Sequence, residues 1–348
     1  MRVNLVGSTT EELVALACEC GQPAYRGRQL AGWVYGKSAR SFDEMSSLPA
    51  ALRAALAEGT VHPLWNEVRR SASTDGTTKI LAEAADGARV ECVFLPYSER
   101  SSVCVSTQVG CAMDCAFCAT AMGGLSRSLC AGEIVDQVLL VRAALGAAVT
   151  HVVYMGMGEP LANYAQTVRS IRLLAEEVGI SPRRITVSTV GIPDAIRRLA
   201  GEGLPVTLAV SLHAPDDALR HELMPVAGAH SLDSLLRACR DWTQTTRRRM
   251  TFEYLLLDGI NDSADQAREL ARRIHGCLAN VNIIPYNHVE GRGHFHRPRR
   301  AAIEAFKREL ERAGIAVTER LRRGNPVSAA CGQLRNESVE GRKLEDGC

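Results

Sequence analysis

The stretch CAMDCAFCAT, residues 111–120, places three cysteines in a C-x₃-C-x₂-C arrangement. On a helix these positions would share one face and form a small apolar stripe. On a loop they would bring together three thiolates, which can hold three irons of a [4Fe–4S] cluster and leave the fourth iron without a protein ligand. A zinc site would usually add a fourth Cys or His at a fixed spacing, and Cys104, the nearest candidate, lies on a predicted strand. The spacing favours an iron–sulfur cluster, and the surrounding sequence is needed to distinguish it from a helical stripe or a zinc site.

From residue 101 onward, predicted strands alternate with predicted helices. Strand-like runs occupy residues 103–108, 151–156, 184–189, 206–212, 251–257 and 281–287, and the clearest helical patterns occupy residues 133–145, 163–179, 263–274 and 297–314. Six such units in series predict a parallel sheet with right-handed crossovers. Because eight units are needed to close a TIM barrel, we expect an α/β fold with a partial (β/α)6 barrel.

Polar and glycine-rich residues follow the ends of these strands, which is where such folds place their chemistry. The cysteines follow the first strand, MGMGEP ends the second, STVG the third, SLH the fourth and PYN the sixth. A helical stripe of cysteines would not explain why polar and glycine-rich residues also follow the other strands. Gly156 and Gly158 would leave backbone groups unobstructed, and Glu159 could accept a hydrogen bond from an ammonium group, although a simple tight turn is the alternative.

An iron without a protein ligand can chelate a small molecule that offers an amine and a carboxylate. S-adenosyl-L-methionine does so, and an electron from the cluster then breaks its sulfonium C–S bond to give a 5′-deoxyadenosyl radical. The cysteines and the glycine-rich strand end together predict a radical enzyme that uses this cofactor.

Composition narrows the class of protein. The chain has 348 residues and is 46% hydrophobic, enough for one large domain and an accessory one. No apolar run reaches the ~18 residues of a membrane span, and the N-terminus lacks a signal-peptide pattern, so we expect a cytoplasmic protein without a membrane partner. Twelve cysteines in a reducing compartment indicate metal-binding, catalytic or buried thiols. Arg247–Arg249 and residues 294–300 could face phosphates or simply solvent.

The sequence resembles the RlmN/Cfr family of radical SAM RNA methyltransferases over nearly its whole length. The blocks that carry the resemblance are YRGRQLAGWVYGKSARSFDEMSSLPAALRAAL, CVSTQVGCAMDCAFCAT, MGMGEPLANY, ITVSTVGIP, AVSLHAPDDALRHELMPV, LLLDGINDS, NIIPYN and AACGQL. The resemblance implies a helical RNA-binding accessory domain at residues 1–57, a β-hairpin linker at 58–100, and a radical SAM core at 101–348 with a C-terminal catalytic-cysteine loop.

The resemblance also implies roles for single residues. The ligands of one [4Fe–4S] cluster are matched by Cys111, Cys115 and Cys118. The contacts to S-adenosyl-L-methionine are matched by Gly158, Glu159, Ser188, Ser211, Leu212, His213 and Asn287. The catalytic positions are matched by Cys331, which carries a methyl group, by its redox partner Cys104, and by Glu91, which handles the substrate proton.

Two cysteines suit the implied reaction because C2 and C8 of adenine are not nucleophilic and cannot attack a sulfonium methyl group. Cys331 would take a methyl group from one S-adenosyl-L-methionine, and a radical from a second would activate it. Glu91 would remove the ring proton after the carbon joins adenine. Cys104 would then attack the sulfur of Cys331, form a disulfide and release the RNA. Taken singly, each cysteine could equally be a buried thiol.

The family implies methylation of adenine C2 in the peptidyl-transferase centre of 23S rRNA, with the adenosine beside the tRNA anticodon as a second target. An electron donor such as flavodoxin and a monomeric enzyme are further expectations. Three alternatives stay open: a Cfr-like C8 methyltransferase, a radical methylase of a non-RNA substrate, and a non-catalytic RNA-binding protein with a structural cluster. Residues 324–327, Gly-Asn-Pro-Val, depart from the family's usual Gly-Asp-Asp-Ile, so the loop before Cys331 is the least predictable part.

Overall fold

The computed structural model describes residues 3–291, 294–320 and 332–334. Its strands are β1 Val3–Asn4, β2 Thr60–Val61, β3 Asn66–Ala72, β4 Thr78–Glu83, β5 Arg89–Pro96, β6 Ser101–Cys104, β7 Gln108–Gly110, β8 Leu125–Ser128, β9 His151–Tyr154, β10 Ile185–Thr189, β11 Thr207–Ser211, β12 Met250–Leu256, β13 Ala279–Pro285 and β14 Ala316–Glu319. Its α-helices are α1 Thr10–Glu19, α2 Ala24–Ala31, α3 Ala50–Gly59, α4 Ala131–Leu145, α5 Tyr164–Glu176, α6 Pro193–Gly201, α7 Asp217–Leu223, α8 Leu232–Thr246, α9 Ala264–Ile274 and α10 Arg300–Arg312. In this part of the chain, no helix has both the length and the hydrophobicity needed to cross a membrane.

One long sheet organises the fold, with strand order β14-β13-β12-β11-β10-β9-β6-β5-β4-β3. From β6 to β14 every neighbouring pair is parallel, and helices make the crossovers. The partial barrel expected from the sequence is therefore confirmed. It has one more parallel strand than the six predicted, because β14 is a short edge strand whose residues alternate between exposed and half-buried and carry no strong apolar signal.

The first predicted strand, residues 103–108, is two strands in the structure. β6 ends at Cys104, and β7 begins at Gln108 in a separate two-stranded pair with β8. Between them the chain leaves the sheet, and the N–H of Thr107 donates to the carbonyl of Met157 over 2.8 Å. The continuous β-pattern of the sequence hides this break because hydroxyl and β-branched residues suit both the strand and the crossing segment.

Three antiparallel strands extend the sheet beyond β6. β4 and β5 are joined by the turn at Asp86 and Gly87, and β5 pairs with β6 so that Val93 lies opposite Cys104. Lys79 also lies opposite Val93, and Glu91 lies two residues before it. Directly opposed residues and residues two apart share a sheet face, so Lys79, Glu91 and Cys104 lie on one face of the sheet.

The N-terminal helices pack as a unit against the barrel. β1 and β2 form a parallel pair that brings the two ends of this region together. α1 and α2 cross so closely that a Cβ at Gly27 would lie 2.3 Å from the Cα of Val14. The unit is tied to α4 by a salt bridge between Arg40 and the fully buried Asp136. Burial of this carboxylate is compensated because it also accepts backbone N–H groups of residues 64 and 65.

Candidate active site in the barrel

The three cysteines of residues 111–118 lie on a loop and not on a helix. The hairpin of β7 and β8 closes this loop at its base. The N–H of Cys111 donates to the carbonyl of Gly124 over 2.8 Å, and a Cβ at Gly110 would lie 1.9 Å from the same carbonyl oxygen. Only glycine at position 110 allows the two ends of the loop to approach this closely.

The cysteine side chains border one cavity, of about 160 Å³, at the carboxyl end of the barrel. We call it the upper cavity. Burial raises the pKa of Cys111 to about 11, and the backbone N–H of Met113 is the main opposing influence. Burial also raises the pKa of Cys115 well above its ordinary value, and the charges of Cys118 and Cys111 raise it further. The three thiols are therefore close enough to influence one another's ionisation.

Residues 155–160, MGMGEP, pack closely against the segment that follows β6. A Cβ at Gly156 would lie 2.7 Å from the carbonyl oxygen of Val105. At Gly158, where φ is +96°, a Cβ would lie 2.5 Å from the Cβ of Gln108. Both glycines are thus needed for backbone packing, and both border the upper cavity.

The carboxylate of Glu159 is buried in the wall of the upper cavity. It accepts hydrogen bonds from the N–H groups of Leu161 at 2.9 Å and Val190 at 2.8 Å. Burial raises the pKa of Glu159 to about 7, against the lowering effect of the Val190 N–H. The Thr189 hydroxyl is a third donor to this carboxylate. Because a carboxylate can accept about four hydrogen bonds, capacity for one ammonium N–H is left.

His213 follows β11 and has a left-handed backbone, with φ at 61°. Its Nδ1 accepts the N–H of Leu255 over 3.0 Å, and its ring meets Phe117 edge-on with centroids 5.0 Å apart. Burial, followed by the charge of Arg220, lowers the pKa of His213 to about 3. The imidazole is therefore neutral with its proton on Nε2, which makes that atom a donor.

The other predicted cofactor residues divide into two pairs. Ser188 and Ser211 lie at or near the ends of the neighbouring strands β10 and β11 and border the upper cavity. Leu212 is fully buried and does not border it, although its N–H donates to the carbonyl of Glu253 over 3.0 Å. Asn287 borders a different cavity, where its Oδ1 is buried without a hydrogen-bond partner among the described residues.

That second cavity, the lower cavity, has a volume of about 590 Å³ and extends from the starts of the strands to Pro285 and Asn287 at the carboxyl end of β13. Apolar side chains such as Val93 and Leu95 form part of its walls, and a further group of hydroxyl and amide side chains includes Ser102, Thr186, Thr207, Thr251, Asn280, Asn282 and Thr318. Cys104 also borders it. The wall shared by the two cavities consists of Met155, Glu253, Ile284, Arg320 and Leu334.

Glu91 lies on the same sheet face as Cys104, one strand away, but is not part of either cavity wall. Its side chain is fully buried, and its carboxylate lies 2.7 Å from the Nζ of Lys79, which is itself 6% exposed. A buried carboxylate is stable only when a partner compensates its charge. Lys79 supplies that charge and favours the ionised form of Glu91, which is the form a base requires.

Cys331 lies outside the described residues, but the segment after it is described. The carbonyl of Gly332 accepts the N–H of Ala119 over 2.7 Å, and Thr120 donates its hydroxyl to the carbonyl of Leu334 over 2.5 Å. The residues after Cys331 are thus bonded to the residues directly after the cysteine loop.

Comparison with known proteins identifies the family. The radical SAM superfamily model matches residues 105–271, and the model of the ribosomal RNA large subunit methyltransferase N-terminal domain matches residues 3–61. A probable dual-specificity RNA methyltransferase RlmN of Gloeobacter violaceus is 49% identical over 98% of this chain and 97% of its own length. The chain belongs to the RlmN family of radical SAM RNA methyltransferases.

Other members of the RlmN family are similarly close. A probable dual-specificity RNA methyltransferase RlmN of Symbiobacterium thermophilum is 47% identical over 97% of this chain and 92% of its own length. The crystal structure of a radical SAM methyltransferase from Sphaerobacter thermophilus, 46% identical, superimposes with a TM-score of 0.92 over 95% of this chain and 99% of that one. The likeness therefore extends across the accessory region and the barrel.

The cysteine loop fits the [4Fe–4S] cluster that an RlmN-family enzyme uses with S-adenosyl-L-methionine. Among the described residues, no three Cys, His, Asp or Glu side chains are arranged to hold a single metal ion. A cluster bonds each thiolate to a different iron, so its ligands do not have to converge on one point. The N–H groups of Met113 and Gly158 directed at the Cys111 sulfur are the kind of hydrogen bond that tunes such clusters.

Three charged residues of this RlmN-family site were missed by the sequence analysis. Arg220 is 1% exposed and donates to the carbonyl of Val190, and burial lowers its pKa to about 10, so it remains a cation close to Cys115. Glu253 and Arg320 lie in the wall between the cavities, where burial raises the pKa of Glu253 and Arg320 opposes this. The available signal for Glu253 was a lone carboxylate in the apolar strand TFEYLLL.

Proposed function

We propose that this enzyme transfers a methyl group to C2 of an adenine in 23S rRNA and to the adenosine beside the tRNA anticodon. The names of the relatives, dual-specificity RNA methyltransferases, support two kinds of RNA substrate. The observation that carries the proposal is the anchoring of residues 332–334: Gly332 borders the upper cavity, and Leu334 borders both cavities. This supports a role for Cys331 at the boundary between the cofactor site and Cys104.

The proposed reaction divides the work among three residues. When bound, the cluster and S-adenosyl-L-methionine supply a 5′-deoxyadenosyl radical. Cys331, as a thiolate, accepts a methyl group from one S-adenosyl-L-methionine and holds that carbon against the adenine ring. Cys104 later attacks the Cys331 sulfur, which forms a disulfide and breaks the bond between protein and RNA. Two molecules of S-adenosyl-L-methionine are consumed in each turnover.

Glu91 is the proposed base that removes the proton from the adenine ring. A base must be ionised before the reaction, and the ion pair with Lys79 at 2.7 Å favours that state. The carboxylate shares a sheet face with Cys104 on the neighbouring strand, so the base and the thiol that ends the reaction lie on the same side of the sheet. The proton moves from the ring carbon to a carboxylate oxygen of Glu91.

The proposal is tested by trapping the bond between protein and RNA. Cys104→Ala should leave no thiol to attack the Cys331 sulfur, so a covalent protein–RNA species should accumulate on denaturing gels. It should require both S-adenosyl-L-methionine and an electron donor. Cys331→Ala should not form the species, and the double variant should behave like Cys331→Ala alone, as expected of residues that act in sequence.

Cys92→Ala is the matched control, because Cys92 is a fully buried thiol on β5, next to Glu91 in sequence. It should turn over without trapping RNA. Mass spectrometry of the product nucleosides then identifies the substrate: 2-methyladenosine supports the proposal, and 8-methyladenosine assigns the Cfr-like reaction. Normal turnover by Cys104→Ala without an adduct would overturn the two-cysteine mechanism.

The N-terminal helices are proposed to contact the RNA. The match of residues 3–61 to an rRNA methyltransferase N-terminal domain supports this role. Exposed basic side chains on this unit include Arg28 on α2 and Lys37, which lies 3.5 Å from the ring centroid of Trp33. Basic and aromatic groups together suit the phosphates and bases of single-stranded RNA.

A further inference from the structure

The lower cavity opens at the amino end of the barrel. Its rim there is formed by Arg100, His151 and Arg184, which lie at the starts of β6, β9 and β10. We call these three residues the amino mouth. Both arginines are exposed, whereas Cys104, which borders the same cavity, is 8% exposed. The cavity therefore connects solvent at the amino end of the barrel with the side chain of Cys104.

The amino mouth is positively charged. Neither Arg100 nor Arg184 has a salt bridge to an acidic side chain within the described ranges. Burial lowers the pKa of His151, and the charges of Arg100 and Arg184 lower it further, so the three groups lie close together. Among the described residues, Glu253 is the acidic side chain of the cavity wall, and Arg320 compensates its charge.

The interior of the lower cavity is also unusual for a barrel. Branched apolar side chains normally fill the inside of a TIM barrel in layers. Here the inward positions at the starts of the strands hold hydroxyl and amide groups, for example Thr186, Thr207 and Asn280. A cavity of about 590 Å³ with such walls suits a hydrated small molecule and lies within the usual size range of ligand sites.

We propose that the amino mouth admits a low-mass thiol that carries carboxylate groups, and that this thiol reduces Cys104 between turnovers. The proposal rests on the proposed function, which leaves Cys104 and Cys331 joined in a disulfide. The arginines raise the local concentration of anions, and the polar walls tolerate a charged solute. A reductant that arrives at the amino end does not compete with RNA at the carboxyl end, where the cofactor residues lie.

The reduction consumes two thiols and balances as an exchange of disulfides. The thiolate of the first molecule attacks the sulfur of Cys104, which forms a mixed disulfide and releases Cys331 as a thiolate that takes up a proton. A second thiolate attacks the sulfur of the bound small molecule, which yields the oxidised dimer of the reductant and releases Cys104. The enzyme gains two electrons, and the two small thiols lose them.

The charge preference of this route can be measured without turnover. Reduced holoenzyme is exposed anaerobically to methanethiosulfonate reagents that are anionic, neutral or cationic, and modification of Cys104 is followed by peptide mass spectrometry. The anionic reagent should modify Cys104 roughly tenfold faster than the cationic one, as electrostatic focusing predicts. Arg100→Gln with Arg184→Gln should remove this preference and leave the rate of the neutral reagent unchanged.

Two further variants keep the test decisive. Arg100→Lys with Arg184→Lys retains the charge and should retain the preference. Arg308→Gln removes an exposed arginine from the outer helix α10 and should change nothing. Equal rates for all three reagents in the unaltered enzyme, or a preference that survives the double Gln substitution, would overturn the proposed entrance.

A second arm tests the reductant itself. Enzyme oxidised by one turnover is treated with glutathione or with neutral 2-mercaptoethanol at equal thiolate concentration. Glutathione should be the faster reductant, and the double Gln variant should lose only that advantage. If no Cys104 disulfide is found after turnover, the two-cysteine mechanism and the reductant both fail. That result is distinguishable from failure of the entrance, because the labelling rates do not depend on turnover.

Discussion

The upper and lower halves of the barrel interior use the same parallel strands in different ways. The upper cavity, about 160 Å³, is bordered by loops that follow the strands, and its titratable groups Glu159 and His213 have strongly shifted pKa values. The lower cavity, about 590 Å³, is bordered mainly by the strands themselves. Loops at the carboxyl ends thus supply specialised groups, while alternate positions within the strands decide whether the interior is packed or open.

The largest expected effect is the loss of the iron–sulfur cluster when a cysteine of the upper cavity is replaced. Cys115→Ala should abolish iron binding and the production of 5′-deoxyadenosine, because one iron of the cluster loses its ligand. Anaerobic iron analysis should find about four irons per unaltered chain. Cys92→Ala should keep them, since Cys92 is a buried thiol outside both cavity walls. A full cluster in the Cys115 variant would refute the ligand assignment.

The next largest effect is a loss of stability when the buried ion pair on β4 and β5 is broken. Lys79→Met should destabilise the protein by about 3–5 kcal/mol, because it removes the positive charge that lies 2.7 Å from the fully buried carboxylate of Glu91. Adding Glu91→Leu should recover most of that loss, since an apolar pair does not require ionic compensation. Urea unfolding at matched iron content measures both. Equal stability of the single and double variants would show that the pair is not coupled.

A smaller effect tests the packing that forms the upper cavity. Gly158→Ala should cost about 1–3 kcal/mol because the new Cβ would meet Gln108 in a left-handed backbone. Gly201→Ala is the control: Gly201 has no neighbour within 4 Å of the added Cβ, so a change of no more than about 0.5 kcal/mol is expected. Thermal unfolding of both variants at matched iron content compares them, and similar losses would contradict the steric argument.

The smallest effect distinguishes the two ends of the barrel as RNA surfaces. Arg297 and Arg299 follow the carboxyl end of β13, whereas Arg247–Arg249 precede the amino end of β12. Arg297→Gln with Arg299→Gln should reduce the slope of log affinity against log salt by about one for each lost phosphate contact. Arg247→Gln with Arg249→Gln should leave the slope unchanged. The reverse result would place RNA at the amino end and weaken the proposed reductant route.

The sequence was sufficient to predict the partial barrel and the polar and glycine-rich residues that follow its strands. Parallel strands and crossover helices give a strong alternating signal, and the cysteine triad and MGMGEP are compact motifs. The seventh strand was missed because an exposed edge strand of four residues, Ala316–Glu319, has almost no hydrophobic pattern. The break between β6 and β7 depends on contacts with Met157, a residue far along the chain, which no local pattern encodes.

The lower cavity was also present in the sequence as a pattern that was not recognised. Strands buried on both faces usually read as continuous apolar runs. In RITVST and VTLAVSL, however, the inward positions Thr186, Ser188, Thr207 and Ser211 are polar. Polar residues two or four apart in a central parallel strand indicate a solvated interior. The ion pair of Lys79 with Glu91 could not be predicted, because it depends on the register of β4 against β5.

The hairpin at the base of the cysteine loop has a consequence for how metal is acquired. Bringing the ends of a flexible loop together has an entropic cost that grows with loop length. Here protein contacts alone hold Gly110 against Gly124. The loop entropy is therefore lost when the protein folds, before any iron binds. Cluster insertion then has to order only the span between them, and more of the iron–sulfur bond energy remains as affinity. Substitutions at Gly110 should therefore slow cluster reconstitution even though position 110 contributes no ligand.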